Sequence, residues 1–244
     1  MRALAMVCVL CALGGGIAAL VVQGAGAAER TTAREASARG VVARIDRYRH
    51  VTWKWQTTMG VSRTPSAKSA RRSPDAAYQR WVLRLWKRRA DRVEHRAARW
   101  LVSRTNDYRR TVSHWQRVMG QRTTPVRSLA SASAGSLRQR ERTMLAWRKR
   151  ARHVLRRAQS PPRLSAWRCI HSYEGSWRDQ GSPYYGGLQM DVSFQRHYGS
   201  YLLRTKGTAD RWTPLEQIWV AEKAYRSGRG FYPWPNTARA CGLI

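Results

Sequence analysis

The feature that most constrains the fold is an internal repeat in the first two thirds of the chain. The segment "YRHVTWKWQTTMGVSRTP" (48–65) recurs as "YRRTVSHWQRVMGQRTTP" (108–125) at an offset of 60 residues, with eight identities in eighteen positions. Each copy precedes a linker rich in Ser, Arg and Ala, and then a helical pattern that ends in "WKRRA" or "WRKRA". The sequence therefore predicts a unit of about 60 residues that is present twice.

Most of the positive charge lies in this repeated part of the chain. Residues 29–160 carry 34 basic and 8 acidic side chains, a net charge of +26, whereas residues 161–244 carry 11 and 6, a net charge of +5. In the basic part, tryptophans and aliphatic residues recur at helical spacing, and arginines fill the positions between them. We expect a helical, basic, Trp-rich N-terminal part that is partly disordered at its linkers, 62–74 and 122–136.

The first 28 residues are typical of a secretory signal peptide. They contain one basic residue, Arg2, then an apolar run to Val22, and the small residues at 25–27 fit an A-x-A cleavage site. An uncleaved membrane anchor ranks second, because the apolar run is long. In either case the body of the protein is predicted to be exported.

Two consecutive prolines separate the basic region from the last third of the chain. Proline cannot continue a helix, and the residue before it avoids helical backbone angles. The predicted organisation is a signal peptide at 1–28, a basic region at 29–160 with repeat units at about 48–105 and 108–158, and a C-terminal domain at 163–244.

Two cysteines remain once the signal peptide is set aside. Cys8 and Cys11 lie in that segment, so Cys169 and Cys241 form the pair of the mature chain. In an oxidising compartment an isolated pair is expected to form a disulfide. Two cysteines without a paired CxxC or a nearby HxxxH do not make a zinc site, and we expect no metal and no cofactor.

The stretch "CIHSYEGSW" (169–177) places one carboxylate, Glu174, among aromatic side chains. The apolar spacing from Leu164 to Trp167 and beyond predicts a helix, for which Gly175 is the expected C-terminal cap. Glu174 then lies on the last turn, where the helix dipole and the neighbouring aromatic rings disfavour the anion. A carboxyl that keeps its proton is what a general acid requires, so Glu174 is the candidate catalytic residue.

The last third of the chain predicts three further elements. The paired aromatics and glycines of "SPYYGGLQM" (182–190) indicate a short hairpin or tight turn, in which glycines let the backbone approach a ligand closely. Asp191 is expected to cap a short helix. In "TPLEQIWVAEKAYRSG" (213–228), Thr213 is the expected N-cap and Glu216 occupies the capping-box position, so Glu216 is interpreted as a cap and not as a catalyst.

Several motifs of the last third occur together in one known family. The chain resembles the resuscitation-promoting-factor core, a small lysozyme-like domain related to the soluble lytic transglycosylases of actinobacteria. The motifs are Trp167, the cysteine ahead of Glu174, "YYGGLQ" (184–189), "EQIWVAE" (216–222) and the Trp-Pro pair of "GFYPWPNTARACG" (230–242). The resemblance covers about residues 163–244, and the basic repeats have no part in it.

The resemblance implies a mainly α-helical fold with a small β-hairpin beside a groove that binds the glycan strand of peptidoglycan in the cell wall. Glu174 falls on the family's single catalytic glutamate, which protonates the oxygen of the β-1,4 bond between N-acetylmuramic acid and N-acetylglucosamine. Ser193 falls where the family usually has a threonine that lines the groove. Groove or scaffold positions of the family's motif are matched by Tyr184, Tyr185, Gln189 and Trp234.

The sequence also departs from the family pattern. In the family a cysteine directly precedes the glutamate, whereas Cys169 lies five residues ahead of Glu174, and Cys241 is displaced beyond the Trp-Pro pair. The segment between the glutamate and "YYGG" is shorter than usual. A glutamine that lies near the family's last Gly-x-Gly is replaced by Ser227, which we include among the candidate groove residues. These departures affect the geometry of the sugar subsites more than the acid.

The expected reaction depends on whether a second carboxylate assists Glu174. A hydrolase uses a base or nucleophile about 5–5.5 Å away for retention, or about 6.5–9.5 Å away for inversion. The nearby acids Asp179 and Asp191 are each interpreted as a turn residue or cap. A lytic transglycosylase needs no partner, because the 6-hydroxyl of muramic acid attacks and leaves a 1,6-anhydro product. The sequence favours lytic cleavage and leaves muramidase-type hydrolysis open.

The basic region predicts an anionic partner. We rank an anionic wall polymer first, a membrane surface second and nucleic acid third, because an exported protein rarely meets nucleic acid and no motif for it is visible. The simpler interpretation is that the tryptophans pack helix against helix and the arginines form a solvated face. Two functions compete with cleavage: a catalytically weak wall-binding or signalling protein, and a cationic protein of the membrane surface.

Overall fold

The chain is mainly helical with one small antiparallel sheet, as the sequence predicts. The computed structural model describes residues 18–66, 73, 75–125 and 135–244. In this part, the elements in chain order are α1 (Ala18–Met59), α2 (Ala76–Val118), α3 (Leu137–Ala158), α4 (Leu164–Glu174), β1 (Tyr184–Tyr185), β2 (Met190–Asp191), α5 (Val192–Lys206), a 3-10 turn (Ala209–Arg211), α6 (Pro214–Ala224), a π-helical turn (Tyr225–Arg229) and α7 (Pro235–Ala240).

Parts of three predicted features lie outside the described residues. These are residues 1–17 of the predicted signal peptide, and 67–72, 74 and 126–134 of the two linkers. Residues 18–28 of the predicted signal peptide form the start of α1. Among the helices that are described, none combines the length and the apolar content that crossing a bilayer requires. Export and cleavage of the signal peptide stay predictions.

By packing, the chain forms two units, Met1–Ala97 and Ala98–Ile244, and the division falls inside α2. In the first unit, Ile45 of α1 packs with Val82 and Trp86 of α2, and these side chains are 0%, 2% and 4% exposed. The rings of Trp53 and Trp86 meet edge to face, with centroids 6.3 Å apart. Some of the tryptophans of the basic region therefore pack helix against helix, which is the simpler of the two interpretations of the Trp/Arg pattern.

The two copies of the repeat end their helices in the same way. Each helix stops one or two residues before a glycine with positive φ, 72° at position 60 and 69° at position 120. In the first copy the Gln56 amide donates to Thr64 Oγ1 (2.7 Å), and the Gln56 oxygen accepts from the Thr64 N–H (3.0 Å). Gln116 and Thr124 repeat both bonds at 3.0 and 2.9 Å. The shared residues therefore encode a helix end and a turn clamped by a glutamine.

The second copy of the repeat shares its core with the last third of the chain. One continuous cluster of buried side chains includes Val118 and Met119 from the end of the repeat helix, Trp147 of α3 and Trp167 of α4. In addition, Trp219 Nε1 of α6 donates to the carbonyl of the last residue of α3 (2.8 Å). The prolines at 161–162 end a helix, as predicted, but the buried core of the second unit runs across them. The domain boundary placed there from the sequence stays a prediction.

Trp167 lies at the centre of the core formed by the last third of the chain. Its fully buried ring packs edge to face against Phe231 and Trp234, with both centroid distances 5.0 Å. Its Nε1 donates to Glu222 Oε1 (2.8 Å). The buried Glu222 also accepts from the Arg163 N–H and from its guanidinium, both at 3.2 Å. These donors and the guanidinium charge offset the cost of removing the carboxylate from water.

The caps, the hairpin and the disulfide predicted from the sequence are confirmed. Asp191 Oδ1 accepts from the N–H of residue 194 (2.6 Å) at the start of α5. Thr213 and Glu216 form a reciprocal capping box at the start of α6. The strands β1 and β2 pair antiparallel, and Cys169 and Cys241 form a disulfide.

A buried glutamine, Gln217 of α6, links the hairpin turn to two other segments of the unit. Its Oε1 accepts from the Gly187 N–H in the hairpin turn (2.9 Å). Its Nε2 donates to the carbonyls of Trp177 and Ala209, both at 2.8 Å. The side chain is 0% exposed, so water does not compete for these bonds.

We expect Gln217→Leu to lower the free energy of unfolding by about 2–4 kcal/mol, because it leaves the Gly187 N–H and two carbonyls buried without this partner. Chemical denaturation followed by circular dichroism measures the change. Gln180→Leu is the matched control: its side chain is exposed, and we expect a change within about 0.5 kcal/mol. Equal losses in the two variants would contradict the structural role of Gln217.

Candidate active site

Glu174 is the last residue of α4, as predicted, and its side chain is half-buried. Gly175 ends the helix with φ 125°. Glu174 Oε1 accepts a hydrogen bond from Thr237 Oγ1 of α7 (2.8 Å). Thr237 was not among the residues predicted from the sequence. The one sequence signal for it is its position four residues before Cys241, whose partner Cys169 lies near Glu174.

The disulfide holds the two helices that bear Glu174 and Thr237. Cys169 lies in α4, five residues before the acid, and Cys241 is the residue that follows α7. Because both anchor points are within two turns of the hydrogen-bonded pair, the bond restrains the acid and its donor against each other. Although the two cysteines are displaced from the positions typical of the family pattern, their disulfide links the helix of Glu174 to the segment after the Trp-Pro pair.

Asp179 and Gln189 lie beside the residue that follows the acid. A Cβ at Gly175 would be 3.7 Å from Asp179 Oδ2 and 3.9 Å from Gln189 Nε2. Gln189 Nε2 donates to Asp179 Oδ2 (2.7 Å), and Asp179 Oδ1 accepts from the Gly181 N–H (3.0 Å). The turn role predicted for Asp179 is confirmed. Asp179 is also a second carboxylate close to the C-terminal end of α4.

The backbone of Gln189 adopts φ 45°, which a residue other than glycine adopts only when its surroundings hold it there. Its amide spans the turn, donating both to Asp179 and to the Gly186 carbonyl (3.0 Å). The side chain of Gln189, which is a predicted groove residue, is therefore held in one place.

Among the residues that the structure describes, no three His, Cys, Asp or Glu side chains are grouped so that they could hold a metal ion.

The hairpin glycines are required by close packing within the protein. A Cβ at Gly186 would lie 2.6 Å from Gln217 Oε1, and one at Gly187 would lie 2.6 Å from His171 Nδ1. His171 Nδ1 is hydrogen-bonded to the Gly187 carbonyl (2.9 Å), and the His171 ring stacks on Trp177 at 3.8 Å. The sequence predicts close approach of a ligand at these glycines, but at both positions protein side chains fill that space.

The other predicted groove residues separate into exposed and buried positions. Tyr184 is 50% exposed on β1, whereas Tyr185 is half-buried and packs against the core. Trp234 is 4% exposed, and its Nε1 donates to the Leu188 carbonyl (2.7 Å). The sequence left open whether these residues line the groove or support the fold. Trp234 is buried and supports the fold, whereas Tyr184 is exposed and available to a ligand.

The predicted groove residues Ser193 and Ser227 both lie near Tyr198. Ser193 lines a cavity of about 330 Å³ with Asp191, Phe194, His197, Tyr198 and Arg229. The Ser227 Oγ lies 3.2 Å from the Tyr198 hydroxyl. Glu174 does not line this cavity. The two are connected through Phe194, whose ring contacts Trp234 (5.5 Å between centroids), the residue that precedes the helix α7 that carries Thr237.

Glu216 is a structural carboxylate, as its interpretation as a cap predicts. Its side chain is 1% exposed and contacts His114 Nε2 (2.8 Å) of α2 and Lys206 Nζ (2.6 Å) of α5. Burial by itself raises the pKa of Glu216, but hydrogen bonds from His114, Lys206 and the Thr213 N–H, together with the Lys206 charge, lower the pKa to about 2. A carboxylate with this pKa holds no proton to donate at neutral pH.

Comparison with known proteins gives no relative for this chain. No family model matches it, and neither a curated protein nor a solved structure matches it. The resemblance to the resuscitation-promoting-factor core therefore stays a prediction from the motifs, and function has to be argued from the site.

We expect acid to destabilise the protein through Glu216. Its folded pKa of about 2 lies below the ordinary 4.5, so its contribution is present above pH 4.5 and is lost as the pH falls towards 2. The loss amounts to at most about 3 kcal/mol. Denaturation at several pH values should show a shallower acid loss in Glu216→Gln than in the wild type. The control Asp91→Asn, at an exposed position of α2, should keep the wild-type slope, and a Glu216→Gln variant with that slope would refute the assignment.

Proposed function

We propose that the last third of the chain cleaves the β-1,4 bond between N-acetylmuramic acid and N-acetylglucosamine in peptidoglycan, with Glu174 as general acid and base. The observation that carries the proposal is the half-buried carboxyl at the end of α4, hydrogen-bonded to Thr237 and braced by the Cys169–Cys241 disulfide. The hairpin that carries "YYGGLQ" lies beside it. The predicted signal peptide supports secretion and action at the cell wall.

Exposed aromatic rings on the helix of the acid, on the hairpin and on the segment before α7 support a carbohydrate ligand. Tyr173, Tyr184 and Tyr232 are 60%, 50% and 74% exposed. Tyr173 precedes Glu174, Tyr184 begins the hairpin, and Tyr232 lies in the segment that leads into α7. A sugar ring that covers an exposed aromatic face is bound favourably, because the covered ring and the apolar C–H groups of the sugar are removed from water.

In the proposed reaction, Glu174 donates its proton to the glycosidic oxygen as the bond to C1 of muramic acid breaks. The Thr237 hydroxyl occupies Oε1, which leaves Oε2 to carry that proton. The 6-hydroxyl of the same muramic acid then forms a bond to C1 and gives its proton back to Glu174. The product is a 1,6-anhydro sugar, and the carboxyl is protonated again for the next cycle.

Hydrolysis with Asp179 as the second carboxylate is the competing mechanism. Asp179 lies near the end of α4, which is the observation in its favour. However, Asp179 Oδ2 already accepts from Gln189, and Asp179 Oδ1 accepts from the Gly181 N–H. A general base needs a lone pair directed at water, so these bonds favour the lytic reaction.

We expect Glu174→Gln to lose at least about 100-fold in peptidoglycan clearing, because the amide cannot donate the required proton. Zymography and a turbidity assay measure the loss, and Asp91→Asn, a change at an exposed position of α2, is the control. Equal clearing by Glu174→Gln and wild type would refute the catalytic role. No clearing by the wild type, with binding to purified wall retained, would favour the wall-binding alternative.

The products distinguish lytic from hydrolytic cleavage. We expect mass spectrometry of the released muropeptides to show 1,6-anhydro ends for the wild type and for Asp179→Asn alike. Reducing ends in the wild-type digest that disappear in Asp179→Asn would instead identify Asp179 as the partner of a hydrolase.

We expect Thr237→Val to lower kcat about tenfold, because it removes the donor that orients the Glu174 carboxyl, and Thr237→Ser to restore most of the rate. Steady-state turbidity assays give kcat and KM separately. A fall in rate that Thr237→Ser does not restore would mean that the methyl group, and not the hydroxyl, is what the site needs.

A further inference from the structure

The second unit contains a basic cavity that takes no part in the proposed cleavage. The cavity measures about 590 Å³. One wall is the face of α2 that carries Asn106, Arg109, Arg110, Ser113 and Arg117, and the other wall includes Tyr201 of α5. His114 joins the two walls: its Nδ1 is hydrogen-bonded to the Tyr201 hydroxyl (3.1 Å), and its Nε2 contacts Glu216.

The cavity has an excess of positive charge. The carboxylate of Asp107 is matched by two cations, Arg110 and Arg104, and Glu216 is matched by Lys206. Arg109 donates to the neutral Asn106 Oδ1 (2.9 Å), and Arg117 lies over the Tyr201 ring at 5.2 Å. Within the described part of the chain, neither Arg109 nor Arg117 is paired with a carboxylate. Both guanidinium groups are therefore available to an anionic ligand.

The cations follow the helix axis. Arg109, Ser113 and Arg117 are four residues apart, so they lie on successive turns of one face with about 6 Å of rise between them. Arg110 flanks the row. A row of this kind suits a linear polyanion better than a single small ion. Guanidinium groups bind phosphate oxygens through two parallel N–H bonds, and the Ser113 hydroxyl adds a neutral donor between them.

We propose that this cavity binds the phosphodiester backbone of a polyol-phosphate polymer of the cell wall, with Arg109 and Arg117 contacting successive phosphates and Arg110 adding positive charge beside them. The choice of a wall polymer rests on the proposed function, because a protein that cleaves peptidoglycan meets such polymers where it works. Since α2 shares its core with Trp147 and Trp167, binding here retains the cleaving part of the same unit on the wall.

Binding is tested on the mature full-length chain with Glu174→Gln, so that cleavage cannot interfere. The probe is a poly(glycerol phosphate) of defined length, titrated by calorimetry at two salt concentrations. We expect Arg110→Gln/Arg117→Gln to weaken binding at least about tenfold, because a guanidinium contact and the positive charge beside it are lost. The matched control Arg152→Gln/Arg156→Gln removes the same charge from exposed positions of α3 and should weaken binding less than about threefold.

Equal losses in the two double variants would overturn the proposal, because the whole basic surface would then bind the polymer and not this cavity. Ser113→Asp is a second test that removes no arginine: a carboxylate placed between the guanidinium groups should also weaken binding about tenfold. Thermal melts confirm that each variant is folded. Unchanged affinity in folded Ser113→Asp would likewise count against the site.

Two competing ligands are compared with the polymer. A single-stranded oligonucleotide with the same number of phosphates tests nucleic acid, and vesicles with anionic lipid test a membrane surface. If either binds more tightly than the polymer and loses affinity in Arg110→Gln/Arg117→Gln, the polymer assignment is wrong. If the polymer binds as expected and the wild type does not clear peptidoglycan, the cavity assignment stands and the proposed cleavage fails.

Discussion

Gln217 is the buried side chain that joins the segments around Glu174. Its three short hydrogen bonds reach the hairpin turn at Gly187, the loop after α4 at Trp177 and the 3-10 turn at Ala209. Because the amide is fully buried, losing any of these bonds leaves a polar group without water to replace the partner. The hairpin that carries the candidate groove residues is therefore held in register with the end of the helix that carries the acid.

Three glutamates of the last third differ in burial and in hydrogen bonding, and we infer different roles for them. Glu216 and Glu222 are 1% and 0% exposed, and each is surrounded by N–H donors and a cation, so both hold helices together. Glu174 is half-buried and accepts one hydroxyl hydrogen bond. Only a carboxyl with an oxygen free of such donors can exchange a proton with a ligand, which is why Glu174, and not its better-paired counterparts, is proposed as the acid.

The two copies of the repeat have the same local structure but pack differently. Both copies form the same glutamine-clamped turn, yet Met59 is half-buried in the first unit, whereas Met119 is fully buried in the second. Arg226 Nη2 also donates to the Met119 carbonyl (3.0 Å). The second copy is thus built into the core of the second unit. The basic surface that it carries is part of the same unit as the proposed catalytic machinery.

The sequence by itself determined the features that short-range physics controls. The helix end at Glu174, the Asp191 cap, the Thr213–Glu216 capping box and the hairpin depend on residues a few positions apart. The disulfide followed from the one pair of cysteines outside the predicted signal peptide. Tertiary structure decided the rest, because Thr237 lies 63 residues from Glu174, and Gln217 lies 30 and 40 residues from two of its partners. No periodicity or local propensity reports such contacts, since they exist only when distant segments close one buried core.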